Sequence, residues 1–326
     1  MVAPSWIGDT IMMQPLLMRL RSQRPEAEIH VLAPGWSAPL LSRMREVTGV
    51  IENPFAHGQF DWKGRRALGQ RIAELGFAQA YVLPNSWKSA LVPFFAGIPK
   101  RTGYTGEARL FLLDDRHTLD KAALPRLVDR YAALAGPLDQ PTPNPRLSST
   151  PEQQRAARGA LGLPTDVAPI VFCPGAEYGP AKRWPARHFA DLAQRVASPQ
   201  SPVWLVGSHK DEAVGAEIER LSEGAATNLC GRTSLEQAID LIAGARRVVS
   251  NDSGLMHVAA ALDRPLAALY GSSSPSYTPP LSPRARVISL GLDCSPCFKR
   301  ECPLGHLRCL NDLQPEQVLA TLERDI

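Results

Sequence analysis

Four short segments combine small residues with charge in patterns suited to proton transfer or to holding phosphate. The first, Pro4-Ser5-Trp6-Ile7-Gly8-Asp9, sits just before an apolar helical pattern. Gly8 allows a tight backbone path there, and Asp9 falls at or near the helix N-cap. Taken alone, Asp9 reads first as a cap. At the carboxyl edge of a parallel sheet, however, the same carboxylate faces ligands and can accept a proton. The second segment runs from Pro174 to Pro185 and carries Gly175, Glu177, Gly179, Lys182 and Arg183. Its amides can converge on an anion, and its two cations suit a diphosphate. A solvated basic pair ahead of a helix with proline in its first turn is an equally good reading. The third, Ser250-Asn251-Asp252-Ser253-Gly254-Leu255-Met256-His257, opens a helix at Ser253 and Gly254. Amides at a helix start, together with the helix dipole, hold phosphate well. His257 lies one turn further in, where a purely structural role competes with ligand binding. The fourth, Gly271-Ser272-Ser273-Ser274-Pro275, is another small-residue loop after a strand pattern. No GxxxxGK[ST] or GxGxxG occurs, so neither a P-loop nor a standard dinucleotide site is supported.

The elements that must position these segments alternate between strand and helix. In the second half, strands are expected at 168–173, 203–207, 227–230, 246–250 and 265–270, with helices near 185–196, 211–222, 234–243 and 253–262. The first half shows the same rhythm. A helix is expected from about Asp9 to Gln23, with Ile11, Met12, Leu16, Leu17 and Leu20 as its apolar stripe, followed by strands at 28–33, 49–52 and 79–83. Short apolar strands between helices imply parallel sheets covered on both faces. The fold class is therefore α/β: two Rossmann-like, doubly wound parallel-sheet domains with a cleft between them. The proline-dense stretch 136–151 divides residues 1–150 from 151–326 as a stiff linker. Only Met1 to Pro4 precede the first loop, so the first strand is expected to be cut short or to start upstream.

Bulk properties narrow the class. The chain has 326 residues, enough for two cores, with 44% hydrophobic and 21% charged residues. Neither an apolar run of about 18 residues nor a basic n-region ahead of an apolar stretch appears. A cytoplasmic enzyme is expected. A net charge of +4 is too small, and lacks the basic stripe, for a nucleic-acid binder.

Together, the stretches PSWIGDTIMMQPL, YVLPNSWKSALVPFFAGIPKRTGY, FCPGAEYGPAKRWP and NDSGLMHVAAAL resemble the bacterial lipopolysaccharide heptosyltransferases. These are inverting glycosyltransferases of the GT-B fold, and the AEYGPAKRWP loop is most similar to the branch that adds the second heptose of the inner core. The likeness runs from the first residues to at least Pro280. It implies that Asp9 is the general base on the acceptor hydroxyl and that Lys182 stabilises the departing diphosphate. It further implies that Gly175, Glu177, Asp252, Ser253, Gly254 and His257 surround an ADP-heptose donor. The acceptor, lipid A bearing Kdo and one heptose, is anionic. Ser5, Gly8, Lys88 and Arg101 are expected to meet it, with Arg65, Arg66 and Lys100 as weaker candidates. For Arg65 and Arg66 an exposed helix face is the plainer reading. The resemblance implies no metal in catalysis, and the sequence contains no DxD triplet. Because the lipid acceptor is made on the inner leaflet, transient association with the cytoplasmic face of the inner membrane is expected. The sibling that adds the first heptose, a nucleotide-sugar epimerase of the same fold, and a noncatalytic nucleotide-sugar binder are the alternatives.

The six cysteines divide in two. Cys173 and Cys230 lie in strand-like segments and read as buried apolar residues. Cys294, Cys297, Cys302 and Cys309 crowd into a C-terminal stretch that also holds His306. That spacing suits a structural zinc ion, with free thiols or adventitious disulfides as alternatives.

Overall fold

The computed structural model describes residues 1–56 and 58–323. The chain divides into two compact units, Met1–Pro143 and Asn144–Ile326. The division falls inside the expected linker but ahead of residue 150. Its last residues already belong to the second unit: Leu147 donates its amide to Ala261, and Ser149 donates its hydroxyl to Asp240. Thr150 then caps the helix Pro151–Ala160 through a reciprocal capping box with Gln153.

In the second unit six parallel strands lie in the order β11-β10-β9-β6-β7-β8. They are β6 (Ile170–Cys173), β7 (Val203–Leu205), β8 (Ala226–Asn228), β9 (Arg247–Asn251), β10 (Leu266–Leu269) and β11 (Ala285–Ile288). This is the 3-2-1-4-5-6 order of the Rossmann fold. Strands β6 and β10 are buried along their whole length, which explains their unbroken apolar sequences IVFC and LAAL. Phe172, Phe189, Leu205, Ile218, Val249 and Leu269 pack as one core, and Leu310, Leu313, Val318 and Leu322 from the C-terminal segment complete it.

The first unit repeats the plan with β1 (His30–Ala33), β2 (Gly49–Glu52), β3 (Gln79–Tyr81), β4 (Lys100–Tyr104) and β5 (Asp115–His117), every named pair parallel. Between β1 and β3 lies Met1–Ala3. Val2 bridges both Leu32 and Val82 in parallel, and ladder bonds run from Val2 N to Tyr81 O (2.8 Å), Ala3 N to Leu32 O (3.0 Å) and Leu83 N to Val2 O (3.2 Å). This three-residue segment therefore carries the central position of the sheet and delivers the chain directly into the Pro4–Gly8 loop. Strands β4, β5 and β11 were not evident from sequence. They read KRTGY, DRH and ARVI, too polar to stand out as apolar runs.

One expected helix is two. Ile7–Met12 and Gln14–Gln23 meet at Met13 because Pro15 has no N–H to offer the Ile11 carbonyl. Both pieces keep the expected stripe against the core, with Ile11, Met12, Leu16 and Leu17 buried.

Candidate active site

In a doubly wound sheet, ligands bind where the strand order reverses, beyond the carboxyl ends of the strands on either side. In the second unit that point lies between β6 and β9. The loop after β6 carries Gly175 to Lys182, and the loop after β9 carries Asp252 to Gly254. The Lys182 Nζ reaches the Asp252 carboxylate at 2.5 Å, with Asp252 almost fully buried. Lys182 also lies 5.4 Å from the centre of the Tyr178 ring.

Two residues that sequence reasoning did not single out hold this pair in place. Asn251, fully buried, accepts the Trp184 amide at 3.0 Å and donates to the Pro174 carbonyl at 2.7 Å, stitching the two loops together. Trp184, also buried, donates its indole N–H to Leu313 O at 2.8 Å and stacks on His188. Their signal in the sequence was proximity alone, next to Lys182 and Asp252. Gly175 is required for space, because a Cβ there would stand 2.4 Å from a carboxylate oxygen of Asp211. That carboxylate accepts from the Ser208 amide and hydroxyl, at 2.9 and 2.8 Å, and cannot easily retreat.

Ser253 occupies the N-cap of the helix Gly254–Ala261, so the expected helix start stands. The first amides of this helix have no intrahelical partner and supply an anion-binding end beside Lys182. His257 is buried one turn in. Burial pushes its pKa down to about 4, with Asp252 raising it and Lys182 lowering it. The ring is therefore neutral near pH 7 and offers a hydrogen bond without charge. Asp252, expected among the phosphate contacts, carries the wrong charge to bind phosphate itself. Its carboxylate faces Lys182, where it fixes the cation. Glu177 is exposed and pairs with Lys210.

The corresponding point in the first unit lies between Met1–Ala3 and β3. The Asp9 loop follows the first and the Pro84–Lys88 loop follows the second. The cap of the first helix is Trp6, not Asp9; Asp9 sits in the first helical turn, half-buried, where the helix dipole favours a carboxylate. Gly8 is buried, while Ser5 and Trp6 are exposed. Lys88 lies half-buried in the short turn Trp87–Ala90.

The basic candidates separate by how their donors are used. The Arg101 guanidinium donates to Leu112 O at 2.8 Å, to Ile98 O at 2.5 Å and to Asp114 at 2.9 Å, so it staples its own unit. Lys100 pairs with Asp115 at 3.2 Å. Arg65, expected on an exposed helix face, is instead buried, packed over the Phe55 ring at 4.2 Å and donating to Lys88 O and Gln59 O. Arg66 is exposed, as that reading requires. A residue not anticipated is Arg109. It is fully buried and donates to Pro84 O, Tyr104 O and Asn85 Oδ1, locking the loop after β3 at the sheet edge.

The family model described as glycosyltransferase family 9 (heptosyltransferase) matches residues 65–308. The chain belongs to glycosyltransferase family 9. It is 47% identical over 98% of its length to lipopolysaccharide heptosyltransferase 2 of Escherichia coli K12, covering 96% of that protein. It is 45% identical to lipooligosaccharide heptosyltransferase 2 of Haemophilus influenzae, over 98% of this chain and 97% of that one. The solved structure of E. coli ADP-heptose LPS heptosyltransferase II superposes with a TM-score of 0.88 at 46% identity, covering 98% of this chain and 96% of that one. Similarity to E. coli lipopolysaccharide heptosyltransferase 1 is 35% over only 35% of the chain. This family 9 member is thus a glycosyltransferase of the GT-B fold.

Proposed function

We propose that this enzyme transfers a heptose from ADP-heptose to the first heptose of the lipopolysaccharide inner core, inverting the anomeric carbon. The observation that carries this reading is the Lys182–Asp252 pair at the switch point of the second unit, flanked by His257 and the start of the Gly254–Ala261 helix. Near-complete alignment with heptosyltransferase 2 proteins favours it over addition of the first heptose.

In the reaction the acceptor hydroxyl attacks the anomeric carbon, the bond from that carbon to the diphosphate oxygen breaks, and ADP leaves with the bonding pair. Asp9 takes the hydroxyl proton as the oxygen attacks. Negative charge grows on the leaving diphosphate, where Lys182 and the helix amides of residues 253–255 stabilise it. Asp252 keeps the Lys182 ammonium poised, and neutral His257 hydrogen-bonds to the donor. Gly175 and Glu177 belong to the same donor loop. Ser5, Gly8 and Lys88 serve the acceptor, whereas Arg101 shapes that surface from behind.

No helix among the described residues is long and apolar enough to cross a membrane. Exposed Phe60, Trp62 and Trp87 lie ring to ring, Phe94 joins them through Phe95, and Lys63, Arg66 and Lys88 stand on the same short stretches of chain. Such aromatic-basic surfaces suit the interface of an anionic membrane, and transient docking at the cytoplasmic leaflet is part of this reading. Co-sedimentation with anionic vesicles, lost in a Phe60→Ser/Trp62→Ser variant, checks it.

The deciding assay supplies ADP-heptose and a lipid acceptor already carrying one heptose. Transfer by the wild type but not by Asp9→Asn, with ADP binding retained, is the expected outcome. Normal turnover of Asp9→Asn would overturn the proposed base.

A further inference from the structure

The C-terminal cysteines are absorbed neither by the sheet nor by the transfer chemistry. Cys294, Cys297, Cys302 and Cys309 all line one small cavity of about 20 Å³, closed by Ala181, Ser272, Leu304, Leu307 and His306. That is the room one water or one small ion occupies. All four thiols are free and fall within sixteen consecutive residues, Cys294 to Cys309. The Gly305 amide donates to Cys302 O at 3.1 Å, folding residues 302–305 into a tight turn beside the cavity. A second observation points into the same space. Ser272 is 1% exposed and lines the cavity, yet its hydroxyl oxygen has no hydrogen-bond partner. A buried hydroxyl needs an acceptor, and a metal-bound thiolate provides one.

We propose that Cys294, Cys297, Cys302 and Cys309 bind one thiophilic divalent cation of the zinc class, and that this cross-link holds the Lys182 loop from behind. Four sulfurs suit tetrahedral zinc, and Cys294-x2-Cys297 is a common spacing for one half of such a site. Among the described residues no group of three donors stands preassembled for a metal. Binding therefore requires the thiols to turn between staggered wells toward the cavity that all four line. His306 is not needed: its Nδ1 already accepts the Arg308 amide at 3.0 Å. Binding a dication through four thiolates leaves two negative charges beside Lys299 and Arg300; Asp293 and Glu301 share the stretch, and Arg308 is already paired with Asp312 at 2.8 Å.

The link to the donor loop is direct. Arg300 O accepts the Ala181 amide at 3.0 Å, and Phe298 O accepts the Tyr178 hydroxyl at 3.0 Å. A Cβ on Gly179 would stand 2.6 Å from Arg300 O, so the two backbones are pressed together. From the other side, the Phe298 amide donates to Ser272 O at 2.7 Å. Residues 298–300 therefore hang between two metal ligands, Cys297 and Cys302, and carry Tyr178 and Ala181, the latter next to Lys182.

Elemental analysis of full-length protein purified without chelator tests the binding. About one equivalent of zinc or iron per chain is expected, abolished in Cys302→Ser and Cys309→Ser and retained in His306→Ala. Chelated protein should take up one equivalent of Co²⁺ with thiolate-to-metal charge-transfer bands. Metal-free protein that neither takes up zinc or Co²⁺ at equimolar concentration nor changes its melting temperature would overturn the site. The positioning role rests on the donor assignment above and has its own readout. Zinc removal should weaken ADP binding about tenfold. Unchanged ADP affinity would overturn that role while leaving the metal standing. Absence of ADP binding even in metal-loaded wild type would instead point to failure of the donor assignment.

Discussion

The two units share one strand order, yet they furnish their switch points with opposite chemistry. In the second unit the cation sits in the site. Lys182 is already paired with buried Asp252, and the loops around it are tied by Asn251 and Trp184. In the first unit Arg109 is buried behind the loop and spends its donors on Pro84, Tyr104 and Asn85. The ligand-facing side there shows half-buried Asp9 and exposed Ser5 and Trp6. The difference suits the two partners. A diphosphate is small, of fixed shape and doubly charged, so a rigid preformed cation with helix amides suits it. A branched, lipid-linked sugar acceptor is large and variable, and an open surface with one well-placed carboxylate suits it better.

The largest effect should come from the side with least charge. Asp9→Asn keeps shape and removes basicity, so kcat should fall about a thousandfold with ADP affinity unchanged. Equal loss of ADP affinity would erase the division of labour between the units. Next, Lys182→Ala should cost roughly a hundredfold or more in transfer, and also about 3 kcal/mol of stability, because it strands a buried carboxylate. Asp252→Ala/Lys182→Ala should recover much of that stability and none of the activity, as denaturant titration and kinetics would show. Recovery of activity in the double variant would mean that Lys182 only neutralises Asp252.

A third contrast concerns pH. Burial holds His257 down to about 4 from an ordinary 6.5. Between these values the unfolded chain takes up a proton that the folded protein refuses. Its stabilising contribution is thus complete above about pH 6.5 and is lost as pH falls towards 4. The loss is up to about 3 kcal/mol at roughly 1.4 kcal/mol per pH unit. His257→Gln should flatten the dependence of melting temperature on pH in that window. An unchanged slope would show that the ring is not buried neutral. The smallest effect should separate two cations of the first unit. Lys88→Ala should raise the acceptor KM severalfold at constant melting temperature, whereas Arg101→Ala should lower the melting temperature first, through its three internal partners.

How much was legible in advance follows from burial. Strands with unbroken apolar runs, such as IVFC and LAAL, stood out because both faces are covered; KRTGY and DRH did not, because edge and near-edge strands keep polar residues. The loops carrying Lys182 and Ser253 were legible because glycine, proline and charge cluster there after a strand. Arg65 was misread because a helix pattern gives the direction of a side chain but not what covers it, and here Phe55 and two carbonyls do.

By itself, the sequence determined the α/β class, the alternation of elements and the loops suited to phosphate, since each is written in local composition and spacing; the roles expected of Asp9 and Lys182 came from the family resemblance. Only tertiary structure decided that Met1–Ala3 lies at the centre of a sheet, because ladder bonds to β1 and β3 come from residues tens of positions away. The same holds for Lys182 meeting Asp252, seventy residues apart. It holds too for the four thiols facing one cavity beside Ser272. Such contacts depend on how the chain returns upon itself, which no local pattern encodes.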